Sequence, residues 1–195
     1  MNRVFVKICG ITNPDDALAS IEAGAQALGF VFYAPSPRCV TPEQLAPWIG
    51  QVPSDIWKVG VFVNESPASV EAVVDMLGLD VVQLHGDEQP GELPRALRIW
   101  KAARVGPDFD VVRLAGYAVE GFLLDGPGQG RPFDWSLAKA PGKVILAGGL
   151  DAGNVRRAID AVKPWGVDAC SLLESAPGRK DHRKVASFIE EALRL

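Results

Sequence analysis

Short apolar runs recur along the chain, and stretches with the apolar spacing of amphipathic helices separate them. Eight of the runs are rich in β-branched residues, and they span residues 4–9, 27–32, 58–63, 81–84, 99–102, 121–125, 144–148 and 166–170. Their last residues lie 18 to 31 residues apart, and most of these intervals are 21 to 23 residues. Strands that alternate with helices are typical of a parallel sheet. Because a nearly constant unit repeats eight times, the pattern predicts an α/β fold, a closed (β/α)₈ TIM barrel, rather than an open sheet.

The helices are marked by start signals, which are capping residues followed by proline, glutamine or acidic residues. These signals lie at Asn13-Pro14, Thr41-Pro42-Glu43-Gln44, Ser66-Pro67, Asp151 and Asp181. Asp151 is expected to precede the seventh helix and Asp181 the last one. The fifth and sixth helices, around residues 108–114 and 135–140, are weakly signalled, so we expect only a turn or two there.

A chain of 195 residues is short for such a barrel, which usually needs about 250 residues. We expect one compact domain over residues 1–195, with short loops between its elements. Two loops, residues 33–40 and 126–131, are longer than the others. We therefore expect functional residues on those two loops.

Charge and cysteine content narrow the classes of partner. The chain has 20 basic and 24 acidic residues, a net charge of −4, and no basic run, so no nucleic-acid interface is expected. Three widely spaced cysteines indicate reduced thiols, and no apolar segment has the length of a membrane span or a signal-peptide core. We therefore expect a cytoplasmic protein that contacts no membrane and binds a small molecule. Its tryptophans suit a core or an interface, so monomer and homodimer both stay open.

Motifs for cofactors and metals are missing from the sequence. Neither a P-loop nor a Rossmann glycine fingerprint follows the first strand. With two histidines and no His or Cys pair at metal-ligand spacing, we expect no zinc or iron site. The chemistry is then expected from side chains at the carboxyl ends of the strands, where barrel active sites lie.

Cys9 ends the first predicted strand, directly before a glycine turn and a capped helix. The period of two places Phe5, Lys7 and Cys9 on one face of that strand. A thiol acts as a base or nucleophile only as the thiolate, and a nearby ammonium group favours that form. The alternative is a small buried apolar residue, which is the commoner fate of a cysteine. The position at a strand end favours the catalytic interpretation.

Asp125 ends the sixth predicted strand and follows the apolar Phe122-Leu123-Leu124. We expect its carboxyl group to be partly desolvated, and desolvation favours the protonated form. Cys9 and Asp125 are then candidates for a base and an acid on opposite sides of the barrel mouth. The alternative for Asp125 is an Asx turn that starts the loop, and residue type alone does not decide between the two.

Other residues near strand ends are candidates for substrate binding. Gly148-Gly149 after the seventh strand and Ser171 after the eighth lie where barrels bind phosphate with backbone N–H groups, and we expect the helix after Asp151 to add its positive end. Arg38 is suited to a bidentate carboxylate contact, although a solvated surface arginine is commoner. His85 after the fourth strand is suited to a substrate hydrogen bond, but a lone histidine is as often structural. Asp168 lies late in the eighth predicted strand and is a further candidate for the same reason.

Several segments, taken in order, match one known family. They are Lys7-Ile8-Cys9-Gly10-Ile11-Thr12, Gly29-Phe30-Val31-Phe32, Ser36-Pro37-Arg38, Val59-Gly60-Val61-Phe62-Val63-Asn64, Val82-Gln83-Leu84-His85-Gly86, Leu124-Asp125, Phe133-Asp134-Trp135, Leu146-Ala147-Gly148-Gly149-Leu150, Asn154-Val155 and Pro177-Gly178-Arg179-Lys180-Asp181. With them the chain resembles the phosphoribosylanthranilate isomerases of tryptophan biosynthesis over essentially its whole length.

The resemblance implies an Amadori rearrangement of N-(5-phosphoribosyl)anthranilate to 1-(2-carboxyphenylamino)-1-deoxyribulose 5-phosphate, without a cofactor. It implies that Asp125 is the general acid that opens the sugar ring and that Cys9 is the general base that takes the C2′ proton. Arg38 would lie near the anthranilate carboxylate. The remaining substrate-binding positions that it implies are Lys7, Gln83, His85, Gly128, Gly148, Gly149, Asp168, Ser171 and Leu172.

Two positions depart from the family pattern. Leu172 stands where a glycine is usual, and a positive φ or a close phosphate contact there would be disturbed by its side chain. Pro127 stands in the loop after Asp125, where a glycine is common, so the mobility of that loop is expected to differ. Two alternatives stay open, namely a bifunctional or related phosphosugar aminoaldose isomerase and a catalytically silent barrel that binds a phosphorylated ligand.

Overall fold

The computed structural model of the chain describes residues 3–96, 98–126 and 134–194. Eight parallel strands form a closed barrel, in which each strand pairs with the next and the eighth pairs with the first. The strands are β1 (Phe5–Cys9), β2 (Ala27–Val31), β3 (Trp57–Phe62), β4 (Val81–Leu84), β5 (Ile99–Arg104), β6 (Gly121–Asp125), β7 (Lys143–Leu146) and β8 (Gly166–Ala169). The predicted (β/α)₈ barrel is confirmed, and each predicted run matches its strand to within two residues at either end.

The described helices are α1 (Pro14–Glu22), α2 (Pro42–Leu45), α3 (Pro67–Leu77), α4 (Val155–Val162) and α5 (His182–Leu193). The predicted caps at Asn13, Thr41, Ser66 and Asp181 are confirmed, because each side chain accepts a backbone N–H of the first turn. The weak fifth and sixth signals correspond to single 3₁₀ turns, Val111–Leu114 and Trp135–Leu137. Within the described ranges, no helix is long and apolar enough to cross a membrane.

Asp151 precedes the seventh helix, as expected, although it is not the residue directly before it. α4 begins at Val155, and Asn154 at its N-cap position makes no capping hydrogen bond. The Asn154 side chain instead donates to the carbonyl of Gly149 at 2.7 Å and accepts from the N–H of Asp151 at 3.0 Å. Asn154 therefore braces the loop after β7, and the helix starts only after that loop is complete.

A short antiparallel hairpin follows β8 on the same side of the barrel. Its strands are β9 (Glu174–Ala176) and β10 (Arg179–Lys180). The hairpin returns the chain so that Lys180 is buried close to the carboxyl end of β8, where its ammonium group contacts Glu174. Two charged side chains are thereby brought beside the barrel mouth.

The alternation of side chains along each strand divides the apolar core into two parts. In β1, Val6 and Ile8 point outward and pack against the helices, while Phe5, Lys7 and Cys9 point into the barrel. At the amino-terminal end, the interior is filled by four aromatic residues that we call the barrel floor: Phe5, Trp57, Trp100 and Trp165. Trp100 is therefore a buried core residue, and Trp57 and Trp165 are partly buried against it.

Candidate active site

A cavity of about 420 Å³ opens at the carboxyl ends of the barrel strands. Cys9 at the end of β1 and Asp125 at the end of β6 both line it. So do most of the other predicted site residues, namely Arg38, Gln83, His85, Gly148, Gly149, Asp168, Ser171 and Leu172. Lys7 is fully buried one layer below, and Gly128 and Pro127 lie outside the described residues. The ends of distant strands therefore meet at one cavity, for the residues described.

A buried ion pair lies beneath Cys9. Lys7 on β1 and Asp168 on β8 are partners in the strand register, and Lys7 Nζ donates to Asp168 Oδ1 at 2.8 Å. Burial alone lowers the pKa of Lys7, but Asp168 and the Cys9 thiolate outweigh it and raise that pKa above its usual value. Burial raises the pKa of Asp168 to about 7, against the opposing effect of Lys7. Lys7 therefore keeps its charge next to the thiol at neutral pH.

The thiol of Cys9 has a second cysteine beside it. Cys9 packs with Val31, Val61 and Cys170 in one small cluster inside the barrel mouth. A hydrogen bond from the Cys170 thiol lowers the pKa of Cys9 well below its usual range, and Lys7 adds to this effect against burial. The pKa of Cys170 is raised by the same contact and by burial. Cys9 is therefore the thiolate of the pair.

Arg38 is not a free guanidinium group on the surface. Its Nε and Nη2 donate to Glu174 Oε1 and Oε2 at 2.8 and 2.6 Å, and Glu174 also accepts from Lys180 Nζ at 3.0 Å. The bidentate contact expected for a substrate carboxylate is thus occupied by a carboxylate of the chain itself. Glu174 is buried, and its contact holds Arg38 at the cavity wall. Glu174 binds Nε and Nη2 of the guanidinium group and does not contact Nη1.

Asp125 lies beside a histidine on the neighbouring side of the mouth. Its Oδ2 is 3.6 Å from His85 Nε2, and His85 Nδ1 is 3.2 Å from Gln83 Nε2. The side chain of Asp125 is 28 % exposed, so it is less desolvated than its apolar sequence context predicts. Gln83 is almost fully buried, and its Oε1 has no hydrogen-bond partner in the part of the chain that the structure describes. The three side chains therefore form a polar wall that includes one unused acceptor.

The loop after β7 approaches Asp125 at the backbone level. Gly148 and Gly149 have φ values of 88° and 65°, a conformation that favours glycine. A Cβ atom on Gly148 would lie 2.8 Å from Asp125 Oδ1 and 2.3 Å from the N atom of Gly126. Glycine at position 148 is therefore required both for the turn and for the position of the Asp125 carboxylate.

The loop after β8 forms the opposite part of the wall. Ser171 begins the 3₁₀ turn Ser171–Leu173, and Leu172 in that turn is 37 % exposed at the cavity. The φ angle of Leu172 is not positive, so the backbone strain considered from the sequence does not arise. The side chain of Leu172 does reach the cavity.

The arrangement contains ammonium groups, carboxylates and thiols rather than a metal-ligand set. Among residues 3–96, 98–126 and 134–194, no group of three or more His, Cys, Asp or Glu side chains has the geometry to hold a metal ion. A thiolate and a carboxyl group line the same cavity, and that cavity is large enough for a small phosphorylated molecule. Such a pair can take up and release protons on one substrate.

Comparisons with known proteins identify the family. The sequence model described as N-(5'phosphoribosyl)anthranilate (PRA) isomerase matches residues 6–191. The chain belongs to the N-(5'-phosphoribosyl)anthranilate isomerase family. The N-(5'-phosphoribosyl)anthranilate isomerase of Solibacter usitatus is 52 % identical over 196 residues, which cover 97 % of both chains. That of Geobacter sulfurreducens is 49 % identical over 200 residues, covering 97 % of this chain and 98 % of its own length.

Solved structures of the same family agree with the barrel. The crystal structure of phosphoribosyl anthranilate isomerase from Thermotoga maritima has a TM-score of 0.89 and 40 % identity, and it covers 98 % of this chain and 100 % of its own. A phosphoribosyl anthranilate isomerase in complex with reduced 1-(o-carboxyphenylamino)-1-deoxyribulose 5-phosphate has a TM-score of 0.87 and 40 % identity over the same shares. The family resemblance and the fold expected from the sequence are thus confirmed.

Three further residues beside the site contact its residues and were not identified from the sequence. Glu174 and Lys180 hold Arg38 and the end of β8, and Cys170 contacts the catalytic candidate Cys9. Cys170 carried a usable signal, because it ends an apolar run as Cys9 does, and the ends of the first and last strands of a closed barrel are neighbours. Glu174 and Lys180 carried none, since the Arg38 guanidinium group that Glu174 holds is 136 positions away in the sequence.

Proposed function

We propose that Cys9 and Asp125 are the general base and the general acid of the Amadori rearrangement that converts N-(5'-phosphoribosyl)anthranilate to 1-(2-carboxyphenylamino)-1-deoxyribulose 5-phosphate in tryptophan biosynthesis. One observation carries this proposal. The Cys9 thiol, whose thiolate form is favoured, and the Asp125 carboxyl group line the same cavity from two different strands. The chain in which they do so belongs to the isomerase family. The reaction needs an acid that gives a proton to the sugar and a base that takes a proton from the same sugar.

In the first step, the Asp125 carboxyl group protonates the furanose ring oxygen. The bond between that oxygen and C1′ breaks, and the anthranilate nitrogen supplies its electron pair to form a Schiff base. His85, 3.6 Å from Asp125 Oδ2, orients the carboxyl group and interacts with the opened sugar. Asp125 is left as a carboxylate, ready to be reprotonated.

In the second step, the Cys9 thiolate takes the proton from C2′. The C–H electrons form the double bond of an enolamine, which then tautomerises to the ketone of the product. Lys7 beneath the thiolate supports the base, because a fixed ammonium group favours the anionic sulfur. Asp168 in turn holds the Lys7 ammonium group at 2.8 Å, so the base is supported from two neighbouring strands.

Substrate binding is assigned to the rest of the wall. Gly148, Gly149 and Ser171 are proposed to surround the phosphate with backbone and hydroxyl donors, and Leu172 borders that region. Arg38 is proposed to contact the anthranilate carboxylate through the guanidinium edge that Glu174 leaves open. The unpaired acceptor of Gln83 suits a sugar hydroxyl group. The three cysteines are free, which supports the proposal of a reducing compartment such as the cytoplasm.

The test compares Cys9→Ser and Asp125→Asn with a matched control, Cys39→Ser, in a fluorescence assay of turnover on freshly made phosphoribosylanthranilate. Each catalytic substitution is expected to lower kcat by about 10²- to 10⁴-fold, as for loss of a general acid or base. Binding of the reduced product analogue should stay close to that of the unaltered protein. Near-normal turnover in either catalytic variant would refute the role given to that residue.

A further inference from the structure

We propose that Cys9 and Cys170 form a modification site, in which hydrogen peroxide joins the two thiols in a disulfide that a dithiol reductant opens again. The proposal rests on the position of the two residues in the barrel, on their shared access to the cavity, and on the charges around them. Each of these observations is independent of the reaction that the enzyme catalyses.

The strand register brings the two residues side by side. β1 and β8 pair as Val6 with Val167, Lys7 with Asp168 and Ile8 with Ala169, so the next positions, 9 and 170, face each other at the barrel mouth. Neighbouring strands lie about 4.8 Å apart, and the Cα atoms of a disulfide lie about 4.4 to 6.8 Å apart. Both side chains point inward and pack together. The backbone spacing therefore suits a cross-strand disulfide.

The cavity gives a small oxidant access to both sulfur atoms. Cys9 and Cys170 are each part of the cavity lining, although Cys9 is only 7 % exposed. Lys7 lies on one side of the pair, and Lys180 Nζ is 3.7 Å from Cys170 Sγ on the other. A thiolate that lies among cations, borders a cavity and has a second thiol beside it has the features of a redox-sensitive cysteine.

The chemistry balances in two steps. The Cys9 thiolate attacks one oxygen of hydrogen peroxide, the O–O bond breaks, and the products are a sulfenic acid on Cys9 and hydroxide. The Cys170 thiol then attacks the Cys9 sulfur, which releases water and forms the S–S bond. Both sulfur atoms are oxidised by one electron each overall, and the peroxide is reduced by two electrons. A dithiol such as dithiothreitol reverses the product by thiol–disulfide exchange.

Cys39 provides an internal control. It lies in the loop after β2, its Sγ is 3.8 Å from the carbonyl of Val40, and it is absent from the residues that line the cavity. Cys39 is therefore a cysteine of the same chain that lies outside the cavity and the cluster in which Cys9 and Cys170 pack together. Oxidation at Cys39 reports the background reactivity of a partly exposed cysteine.

The effect on activity rests on the proposed function, because the disulfide removes the sulfur electron pair that takes the C2′ proton. Formation of the disulfide itself does not depend on that role. Mass and turnover are therefore measured separately on the same samples, and each variant is compared with its own activity before oxidation.

The experiment treats the reduced full-length chain with hydrogen peroxide, in the unaltered protein and in Cys39→Ser, Cys170→Ser, Cys170→Ala and Cys9→Ser. The unaltered protein and Cys39→Ser should lose the mass of two hydrogen atoms and yield a peptide pair linked through Cys9 and Cys170. Their turnover should fall about 10²-fold and return with dithiothreitol. Both Cys170 variants should instead gain oxygen at Cys9 as a sulfinic acid, and their loss of activity should resist dithiothreitol.

Three results would overturn the proposal: no Cys9–Cys170 linkage in the unaltered protein, the same loss of two hydrogen atoms in Cys9→Ser as in the unaltered protein, or inactivation of both Cys170 variants that dithiothreitol reverses. A linkage that leaves turnover unchanged would have a different meaning. It would establish the modification site and contradict the assignment of Cys9 as the base. Far-UV circular dichroism of each variant checks that the substituted barrel is folded.

Discussion

The two ends of the barrel interior are built from opposite kinds of residue. At the amino-terminal end, the barrel floor packs aromatic rings at centroid distances of 4.5 to 6.3 Å, and Trp100 in it is fully buried. At the carboxyl-terminal end, the interior holds the buried Lys7–Asp168 ion pair, two thiols and glycine turns around a cavity. Aromatic packing stabilises the fold, whereas buried charges are costly unless they are paired. The difference indicates that stability is concentrated at one end and chemistry at the other.

The largest effect is expected at the barrel floor. Trp100→Ala should lower the free energy of unfolding by about 3 to 5 kcal/mol, because it removes a fully buried indole and leaves a cavity. The turnover number of the protein that stays folded should change little, since Trp100 does not line the cavity. Guanidinium chloride unfolding and turnover measure the two quantities. A kcat reduced as strongly as in Asp125→Asn would show that the two ends are not independent.

The second effect is expected at the mouth. Gly148→Ala should lower kcat by at least about 10²-fold, the lower end of what a general acid contributes, because the added methyl group would displace Asp125 and Gly126. Gly153→Ala in the same loop is the matched control, because its added Cβ would meet only Asp151 Oδ1 at 3.3 Å. Steady-state kinetics of both variants check this. Equal kcat in the two variants would contradict the account of position 148.

The third effect concerns the pH dependence of the base. The Cys9 pKa is held low in part by Lys7, so Lys7→Met should raise it and move the acid limb of kcat/KM to higher pH by about 1 to 3 units. The sign follows because the thiolate is the active form and it persists only above its pKa. Rates of iodoacetamide alkylation at Cys9 across pH give an independent measure. If the pH profile of kcat/KM does not move, Lys7 does not stabilise the Cys9 thiolate.

The smallest effect is expected at a buried charge near the mouth that has no proposed chemical role. Asp16 accepts hydrogen bonds from Asn13, from the N–H of Lys180 and from His182 at 2.8 to 2.9 Å, and together they lower its pKa although burial opposes this. Asp16→Asn should cost about 1 to 3 kcal/mol of stability and leave kcat near normal.

The pH dependence of that cost has a definite sign. Because the folded pKa of Asp16 is lowered, its contribution is fully present above the unfolded pKa of about 3.9 and is lost as pH falls through the folded pKa. Unfolding curves of Asp16→Asn and the unaltered protein should therefore converge at acid pH. A difference that persists unchanged there would assign the effect to packing rather than to the charge.

The barrel itself could be predicted from the sequence because strand and helix signals are local. The period of two in β1 placed Phe5, Lys7 and Cys9 on one face, and that face is the barrel interior. Helix caps such as Asn13 and Thr41 were identified for the same reason, since each interacts with residues within one turn. Asp151 precedes α4 as expected, but the exact start of that helix was not predicted, because Asn154 hydrogen-bonds to the loop at Gly149 instead of capping the helix.

The site could be predicted only as far as strand ends define it. Cys9 and Asp125 were found because each ends a strand, and closure of the barrel brings such ends to one cavity. The contact of Arg38 with Glu174 joins residues 136 positions apart, and no local pattern encodes it. The position of the Asp125 carboxylate depends likewise on the glycine loop that follows a different strand. Contacts between residues on different sides of the barrel mouth can therefore be identified only from the three-dimensional structure.

The central claim is that a thiolate on β1 and a carboxyl group on β6 act on the same sugar. A crystal structure of this chain with reduced 1-(2-carboxyphenylamino)-1-deoxyribulose 5-phosphate tests it most directly. We predict Cys9 Sγ within about 3 to 3.5 Å of C2′ or its hydrogen, and the Asp125 carboxylate at a similar distance from the ring-derived oxygen at C4′. A complex in which the sugar reaches only one of the two side chains would contradict the claim.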